Sequence, residues 1–186
     1  MRIVYGFSLS FCVRKCVICI FCLLFTHAFA QEGTARVKIR KGSLYSAQIW
    51  LPGQAEPLFA RQAGRETGQW VVFGEQGGDI RFLSEDSCGY ARLGQYSLTI
   101  CKQMIIRQSD TFFVRREPAG AFQLSRTIRD PLDAERGLTL PLLSFVQDPA
   151  HPLRIFIRPE PGPVDYPDAV RICAALMVIR QFPFEL

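Results

Sequence analysis

The segment LRIFIR, residues 153–158, carries the clearest strand pattern in the chain and runs directly into the turn-forming sequence PEPGP at 159–163. Its residues at 153, 155 and 157 are apolar, whereas the residues at 154 and 158 are arginines. Successive side chains of an extended chain point to opposite faces, so the apolar residues share one face and the arginines share the other. The segment is therefore predicted to be a β-strand with one buried face and one solvated face.

Similar short runs, separated by glycine and proline, recur from residue 35 onwards, and few stretches show a helical period. We therefore predict a mainly β protein, a small single-domain β-sandwich or barrel-like fold with at most one or two short helices. The other predicted strands cover residues 35–40, 45–51, 69–73, 79–83, 96–106, 111–116, 122–127, 138–146 and 170–179.

Two segments are candidates for the short helices. Residues 129–136 contain a proline near the start and the helix-compatible run Asp-Ala-Glu after it, so a short helix is predicted there. Residues 170–180 place Val170, Cys173, Ala174 and Met177 at helical spacing. A helix is therefore the alternative to the strand predicted for that segment.

Residues 1–30 have the order of a secretory signal peptide: basic residues come first, an apolar run follows at 16–25, and small residues close it. Cleavage is predicted between Ala30 and Gln31, which leaves one domain over residues 31–186. The alternative is an uncleaved membrane anchor over residues 3–30, which would hold two basic residues within the bilayer at a cost of ~3 kcal/mol each.

Four of the seven cysteines lie in this N-terminal segment. Three of them have the spacing of metal ligands, but their neighbours are apolar and the segment is predicted to be removed, so no metal site is expected. In an oxidising compartment two of the remaining three should pair. Cys88 with Cys101 closes the shortest loop, leaving Cys173 as a buried free thiol, and pairing of Cys101 with Cys173 is the competing possibility.

The formal charge of +5 falls to +2 when residues 1–30 are removed, because they contain three basic and no acidic residues. A nucleic-acid partner is not expected from so small an excess. The densest basic cluster, residues 36–41, alternates charged with apolar side chains in its first part. It is interpreted as the solvated face of a strand, with an anion site as the alternative.

No motif of an established chemistry appears in residues 31–186, which lack GxSxG, HExxH and CxxC. His151 stands between prolines and is interpreted as a solvated turn residue. The glycine-rich segment 74–78 lacks the lysine and helix start of a phosphate-binding loop, so a hairpin is predicted. No catalytic, cofactor-binding or metal-binding residue is therefore assigned.

Two sets of residues are kept as weaker candidates. Acidic residues could serve a hydrolase or bind calcium, but their spacing favours the interpretation as ordinary loop residues; these are Glu85, Asp86, Asp165 and Asp168. Aromatic residues could form a stacking platform, but core or cross-strand packing is the more common role of strand aromatics; these are Trp50, Trp70, Phe112 and Phe113.

The order GLTLPLL at 137–143, LRI at 153–155, GP at 162–163 and RIC at 171–173 resembles the second half of the invasion-associated locus B family of exported proteobacterial proteins. The sequence GQWVV at 68–72 is similar to the opening of that family's domain. The resemblance implies a small periplasmic or envelope-associated β domain without known enzymatic activity, linked in some bacteria to host-cell invasion and hence to virulence.

The leading interpretation is therefore an exported, non-catalytic envelope or periplasmic domain with an interaction role. Its partner would be a macromolecule such as an envelope component or a host glycan or protein, with membrane contact only through an uncleaved signal. One alternative is a receptor- or glycan-binding OB-fold subunit of an AB5-type toxin. The order of the strands within residues 142–157, followed by the final cysteine-bearing segment, resembles the order in such subunits. The second alternative is a carboxylate-based hydrolase.

Overall fold

The chain runs up and down through twelve antiparallel strands, and the first strand pairs with the last, so the sheet closes into a barrel. The structure is a computed structural model that describes residues 32–40, 44–64, 68–83, 87–129, 137–161 and 166–182. Within these ranges the strands are β1 (Gly33–Arg40), β2 (Leu44–Trp50), β3 (Leu58–Gln62), β4 (Gln69–Phe73), β5 (Gly78–Arg81), β6 (Cys88–Leu93), β7 (Tyr96–Cys101), β8 (Met104–Arg107), β9 (Asp110–Arg116), β10 (Phe122–Arg129), β11 (Gly137–Gln147) and β12 (Arg154–Pro159), followed by one helix, α1 (Asp168–Gln181). The prediction of a mainly β, barrel-like fold is confirmed.

Alternating side chains place the apolar residues of each strand inside the barrel. In β12, Ile155 and Ile157 are buried inside the barrel, whereas Arg158 lies on the outer face and is exposed. Leu153, which the alternation assigned to the same buried face, lies instead in the turn before β12 and is partly exposed. The same alternation in β1 buries Ala35 and Val37, so the interpretation of its basic residues as a solvated face is correct for the described side chains.

Helix α1 occupies the interior of this barrel. Every residue from Ala169 to Ile179 except Arg171 is buried, on all sides of the helix, and among the described residues the closed sheet provides the surface that buries them. The residues that flank the helix contact inward-facing aromatic side chains of the wall: the ring centroids of Tyr166 and Phe112 are 6.2 Å apart, and those of Phe182 and Phe122 are 5.0 Å apart.

The width of the barrel explains why a helix is needed. Eight strands enclose a space that side chains alone can fill, and the diameter grows with strand number. A helix with its side chains is about 10–12 Å across and fills the wider interior of a twelve-stranded barrel. The segment 170–179 was predicted as a strand with a helix as the alternative; it is a helix, and its uniform apolarity is typical of a helix buried on every side.

The predicted strand 96–106 is two strands. Residues 102 and 103 form a tight turn that reverses the chain, so β7 pairs with β8 through Cys101↔Met104, Ile100↔Ile105 and Thr99↔Ile106. The segment contains no glycine or proline at this turn, and the pattern of apolar residues continues through it. These two features explain why the sequence reads as one long strand.

Strands β3 and β6 were not predicted. β3 is short, and its outward face carries a phenylalanine beside its single arginine. The contrast between an apolar and a polar face, which identifies a strand, is therefore weak. β6 begins with Cys88 and Gly89, and glycine is uncommon inside strands. A Cβ atom at Gly89 would lie 1.8 Å from the carbonyl oxygen of Arg81, so the glycine permits a close approach of β5 to β6. Of the predicted helix 129–136, Arg129 ends β10, and residues 130–136 lie outside the described residues.

Cys88 and Cys101 form a disulfide, as predicted, and Cys173 is a buried free thiol. The two bonded cysteines face each other across β6 and β7, with Cα atoms 4.3 Å apart, and both side chains lie on the outer face of the barrel. The bond therefore links two strands that are already neighbours, at a sequence separation of 13.

Replacing both bonded cysteines by serine should lower the free energy of unfolding by about 3 kcal/mol, because the unfolded chain regains the entropy of the loop that the bond closed. Urea denaturation of the Cys88→Ser/Cys101→Ser variant under oxidising conditions measures the loss. The control is Cys173→Ala, which keeps the disulfide and should be destabilised by reducing agent as wild type is, whereas the double-serine variant should not respond to it. An oxidised wild type no more stable than the double-serine variant would contradict the prediction.

Candidate binding pocket at the barrel rim

A cavity of about 610 Å³ opens at the end of the barrel where α1 ends. Its walls come from the segment after β5, the turn between β7 and β8, the end of β9 and the last turn of α1. From there it extends over the rim onto the outer faces of β8 and β9. Its lining residues are Phe82, Leu83, Ser87, Ile100, Lys102, Gln103, Met104, Phe113, Arg115, Met177, Arg180 and Gln181.

The floor of this rim pocket is apolar and belongs to the core. Phe82, Ile100 and Met177 are each no more than 5% exposed and are members of the single cluster of buried residues that fills the barrel. The floor is therefore held by the packing of α1 against the wall. The accessible apolar surface of the pocket comes from Leu83, Met104 and Phe113 beside this floor, and a ligand would remove that surface from water at roughly 25 cal/mol per Å².

Three cationic side chains also line the pocket: Lys102, Arg115 and Arg180. Both arginines lie over aromatic rings that also line the pocket. The guanidinium carbon of Arg180 is 4.4 Å from the ring centroid of Phe82, and that of Arg115 is 5.0 Å from the centroid of Phe113. Stacking of this kind fixes the plane of each guanidinium group and leaves its N–H donors directed sideways.

No carboxylate among the described residues lies within 4 Å of these three cations, whereas arginines elsewhere on the barrel, such as Arg126 and Arg158, are paired with acids. Arg180 is exposed, yet the protein around it lowers the pKa of its guanidinium by desolvation. Water therefore solvates this charge less completely than it would in the unfolded chain. An anion in the pocket would offset that loss.

Lys102 has a φ of 51°, in the left-handed region. This conformation costs a non-glycine residue about 1–2 kcal/mol, and lysine has no side-chain group that compensates locally. Strained backbone of this kind is concentrated at functional sites. Gln108, at the turn between β8 and β9 at the opposite end of the barrel, has a similar φ of 53° but does not line the pocket, so it provides a matched comparison.

At the opposite end of the barrel, the candidate carboxylate Asp168 has a structural role. Its Oδ2 accepts a hydrogen bond of 2.7 Å from Gln54 Nε2, and its Oδ1 lies 3.5 Å from Arg171 Nε, so it ties the first turn of α1 to the segment after β2. Nearby, burial raises the pKa of Tyr166 to about 12, against the opposing effect of Arg171. Glu85, Asp86 and Asp165 lie outside the described residues.

The turn before β12 contains His151 and a buried acid, Asp148. The carboxylate of Asp148 accepts a hydrogen bond of 2.9 Å from the Ala150 amide and lies 3.3 Å from His151 Nδ1 and 3.5 Å from Arg154. Burial raises the pKa of Asp148, but the amide hydrogen bonds and the charges of His151 and Arg154 outweigh burial and lower it below its usual 3.8. His151 is 64% exposed, in agreement with its interpretation as a solvated turn residue.

Because the folded-state pKa of Asp148 is depressed, its contribution to stability is present above the unfolded-state value and is lost as pH falls through the folded value. Asp148→Asn should therefore lower the free energy of unfolding at pH 7, and the difference from wild type should shrink below about pH 4. Urea denaturation at a series of pH values between 7 and 2.5 measures it. A difference that stays constant across the series would show that Asp148 does not titrate differently on folding.

The remaining sequence candidates have structural positions. Trp70 and Phe112 are buried in the core, whereas Trp50 and Phe113 lie on the outer face, partly exposed. Residues 74–77 of the glycine-rich segment form the turn between β4 and β5, as predicted, and Gly78 begins β5. Within the described residues, no group of three or more His, Cys, Asp and Glu side chains could hold a metal ion. Likewise, no helix in those residues is both long and apolar enough to cross a bilayer.

The rim pocket itself was not predicted. Its three cations come from a turn, a strand end and a helix end, and no sequence spacing connects them. The only local signal is the charged C-terminus of an otherwise apolar segment at Arg180. No known protein family, curated protein or solved structure matches the chain.

Proposed function

We propose that the protein is an exported, non-catalytic binding protein whose rim pocket takes a small organic anion with an apolar body. The observation that carries the proposal is the convergence of Lys102, Arg115 and Arg180 over an apolar floor, without a described carboxylate to neutralise them. The cations would bind a carboxylate, sulfonate or phosphate head, and the floor would bind the hydrocarbon part.

The size and chemistry of the pocket support this class of ligand. A volume of about 610 Å³ is within the range of small-molecule sites, and the lining combines apolar side chains with charged and polar ones, as an amphiphilic ligand requires. None of the described residues that line the pocket is acidic. This proposal gives the interaction role expected from the sequence a specific location on the barrel.

Export is supported by the order of residues 1–30 and by the Cys88–Cys101 disulfide, since such bonds persist in oxidising compartments. N-terminal sequencing of the protein recovered outside the cytoplasm should begin at Gln31. The toxin-subunit alternative gains no support from the fold, because an OB barrel has five strands and this barrel has twelve.

Isothermal titration calorimetry with decanoate tests the ligand class, with decyltrimethylammonium as a probe of the same apolar length and opposite charge. We expect decanoate to bind at least tenfold more tightly. Arg115→Gln should weaken decanoate binding at least fivefold, because a charge-assisted hydrogen bond is lost. The matched control is Arg92→Gln, which removes an arginine stacked on Tyr90, on the outer face of β6 and outside the pocket.

Lys102→Asn provides a second variant that separates binding from folding. Asparagine adopts the left-handed conformation more readily than lysine, so this variant should be at least as stable as wild type while binding decanoate more weakly. Gln108→Asn should have the same effect on stability and none on binding. Equal affinity for the two amphiphiles, or unchanged affinity in both Arg115→Gln and Lys102→Asn, would overturn the proposal.

A further inference from the structure

The outer face of β1 to β4 carries exposed aromatic and cationic side chains around a shallow groove. The strand sequences GTARVKIR, LYSAQIW, LFARQ and QWVVF contain no Asp or Glu. Glu32, directly before β1, is paired with Arg158 of β12, and Asp79 lies on the neighbouring strand β5. These acids lie at the margins of the surface, and the described side chains of β1 to β4 themselves carry a net positive charge.

The pairing register arranges the side chains of this surface in two rows. One row runs Arg36↔Gln48↔Phe59↔Phe73 across the four strands, and the next runs Lys38↔Ser46↔Arg61↔Val71. Neighbouring strands are about 4.8 Å apart, so each row spans roughly 14 Å. The short side chains of β2 leave a groove of about 340 Å³ between the cations of β1 and the side chains of β3 and β4.

Two exposed phenylalanines distinguish this surface from an ordinary solvated strand face. Phe59 is 52% exposed and Phe73 is 51% exposed, and they are directly opposite each other on β3 and β4. Their rings carry no polar group that would favour water. Trp50 lies on the same outer face of β2, with the guanidinium carbon of Arg36 5.3 Å from its ring centroid. Three aromatic side chains therefore accompany three cations, Arg36, Lys38 and Arg61.

None of those three cations lies within 4 Å of a carboxylate of the described residues. A partner for this surface must therefore supply negative charge opposite the cations and an apolar phase for the phenylalanine rings. The interface of an anionic bilayer supplies both at the required depths, because lipid phosphates lie above the acyl boundary that phenylalanine enters. Tryptophan is also enriched at that interface.

We infer that the outer face of β1 to β4 docks on an anionic phospholipid surface. A single-stranded nucleic acid would also combine stacking with positive charge, but proteins that bind such strands engage about 4–16 nucleotides in each binding fold, more than a patch about 14 Å wide can cover. The sequence suggested membrane contact only through an uncleaved N-terminal segment. The docking surface is a separate contact and is independent of the rim pocket.

Co-sedimentation with vesicles tests the inference. Vesicles of phosphatidylglycerol and phosphatidylcholine are compared with vesicles of phosphatidylcholine alone, at 50 and 300 mM salt. All proteins are prepared as the full chain in the same way, so any contribution of residues 1–30 is common to every variant. We expect wild-type protein to bind the anionic vesicles at least tenfold more strongly, and the preference to fall at high salt.

Two variants test the cationic and the aromatic side chains of the docking surface separately. Arg36→Gln/Lys38→Gln/Arg61→Gln should weaken binding to anionic vesicles at least tenfold, because three favourable charge interactions with the lipid surface are lost. Phe59→Ser/Phe73→Ser should weaken binding at least fivefold while keeping its salt dependence. The matched control is Tyr90→Ser/Arg92→Gln on β6, where Tyr90 is 42% exposed and also stacked by an arginine. Thermal melts confirm that each variant is folded.

The control should bind vesicles as wild type does. The inference is overturned if wild type does not prefer anionic vesicles, if the triple-glutamine variant binds them unchanged, or if the β6 control loses as much affinity as the variants of the docking surface. Binding to oligothymidylate that is lost in the same variants, without any preference for anionic vesicles, would assign the surface to nucleic acid and overturn it equally.

Discussion

Ala174→Asp is expected to abolish the folded state. Ala174 is fully buried in the middle of α1, inside the closed barrel. A carboxylate there would have neither water nor a cationic partner, and an uncompensated buried charge costs about 3–5 kcal/mol or more. Small domains are stable by only about 5–15 kcal/mol, so the loss removes most or all of the margin.

The measurement is the yield of soluble protein, followed by circular dichroism and urea denaturation of whatever is recovered. The matched control is Ala119→Asp, which places the same side chain at an exposed position in the turn between β9 and β10 and should change the free energy of unfolding by less than about 0.5 kcal/mol. If Ala174→Asp were as stable as the control, α1 would not be enclosed by the barrel.

The thiol of Cys173 should be almost inert in the folded protein. It is fully buried on α1, which excludes the reagent. Burial also raises its pKa, so little of the thiol is ionised to the reactive thiolate. Reaction requires opening of the barrel. Given an ordinary stability of at least ~5 kcal/mol, iodoacetamide at pH 8 should modify Cys173 at least about 1,000-fold more slowly in folded than in urea-unfolded protein.

Peptide mapping by mass spectrometry measures the modification of Cys173 itself, separately from any other cysteine. Thr127→Cys introduces an exposed thiol on β10 as a reference, and it should react at the rate of a free thiol in the folded protein. Modification of Cys173 within tenfold of that reference would contradict the enclosed position of α1.

The strands could be predicted where one side of each strand faces the core and the other faces water. This is the case for residues 153–158, where Ile155 and Ile157 face the core and the two arginines lie on the other face, and for β1, where alanine and valine alternate with basic residues. Where the contrast is weak, as in β3, or a special residue such as Gly89 interrupts it, the strand was missed. The helix was ambiguous because a segment that is buried on every side has no polar face to reveal its period.

The closure of the sheet and the rim pocket could not be predicted from the sequence, for a different reason. Whether β1 pairs with β12 depends on how many strands the sheet has and on what fills its centre, and neither is a local property. The pocket likewise exists only when Lys102, Arg115 and Arg180 meet at one end of the closed barrel. The disulfide was predictable, because loop length restricts the choice among three cysteines.

The position of α1 also determines when the molecule can form. The helix follows all twelve strands in the chain, and the pairing of β1 with β12 joins residues such as Gly33 and Ile157 that are far apart in sequence. Until residue 181 has left the ribosome, the strands lack the centre against which their apolar faces pack. We therefore expect no stable partial barrel during synthesis. Folding should be slow and cooperative, with the sheet closing around a helix that arrives last.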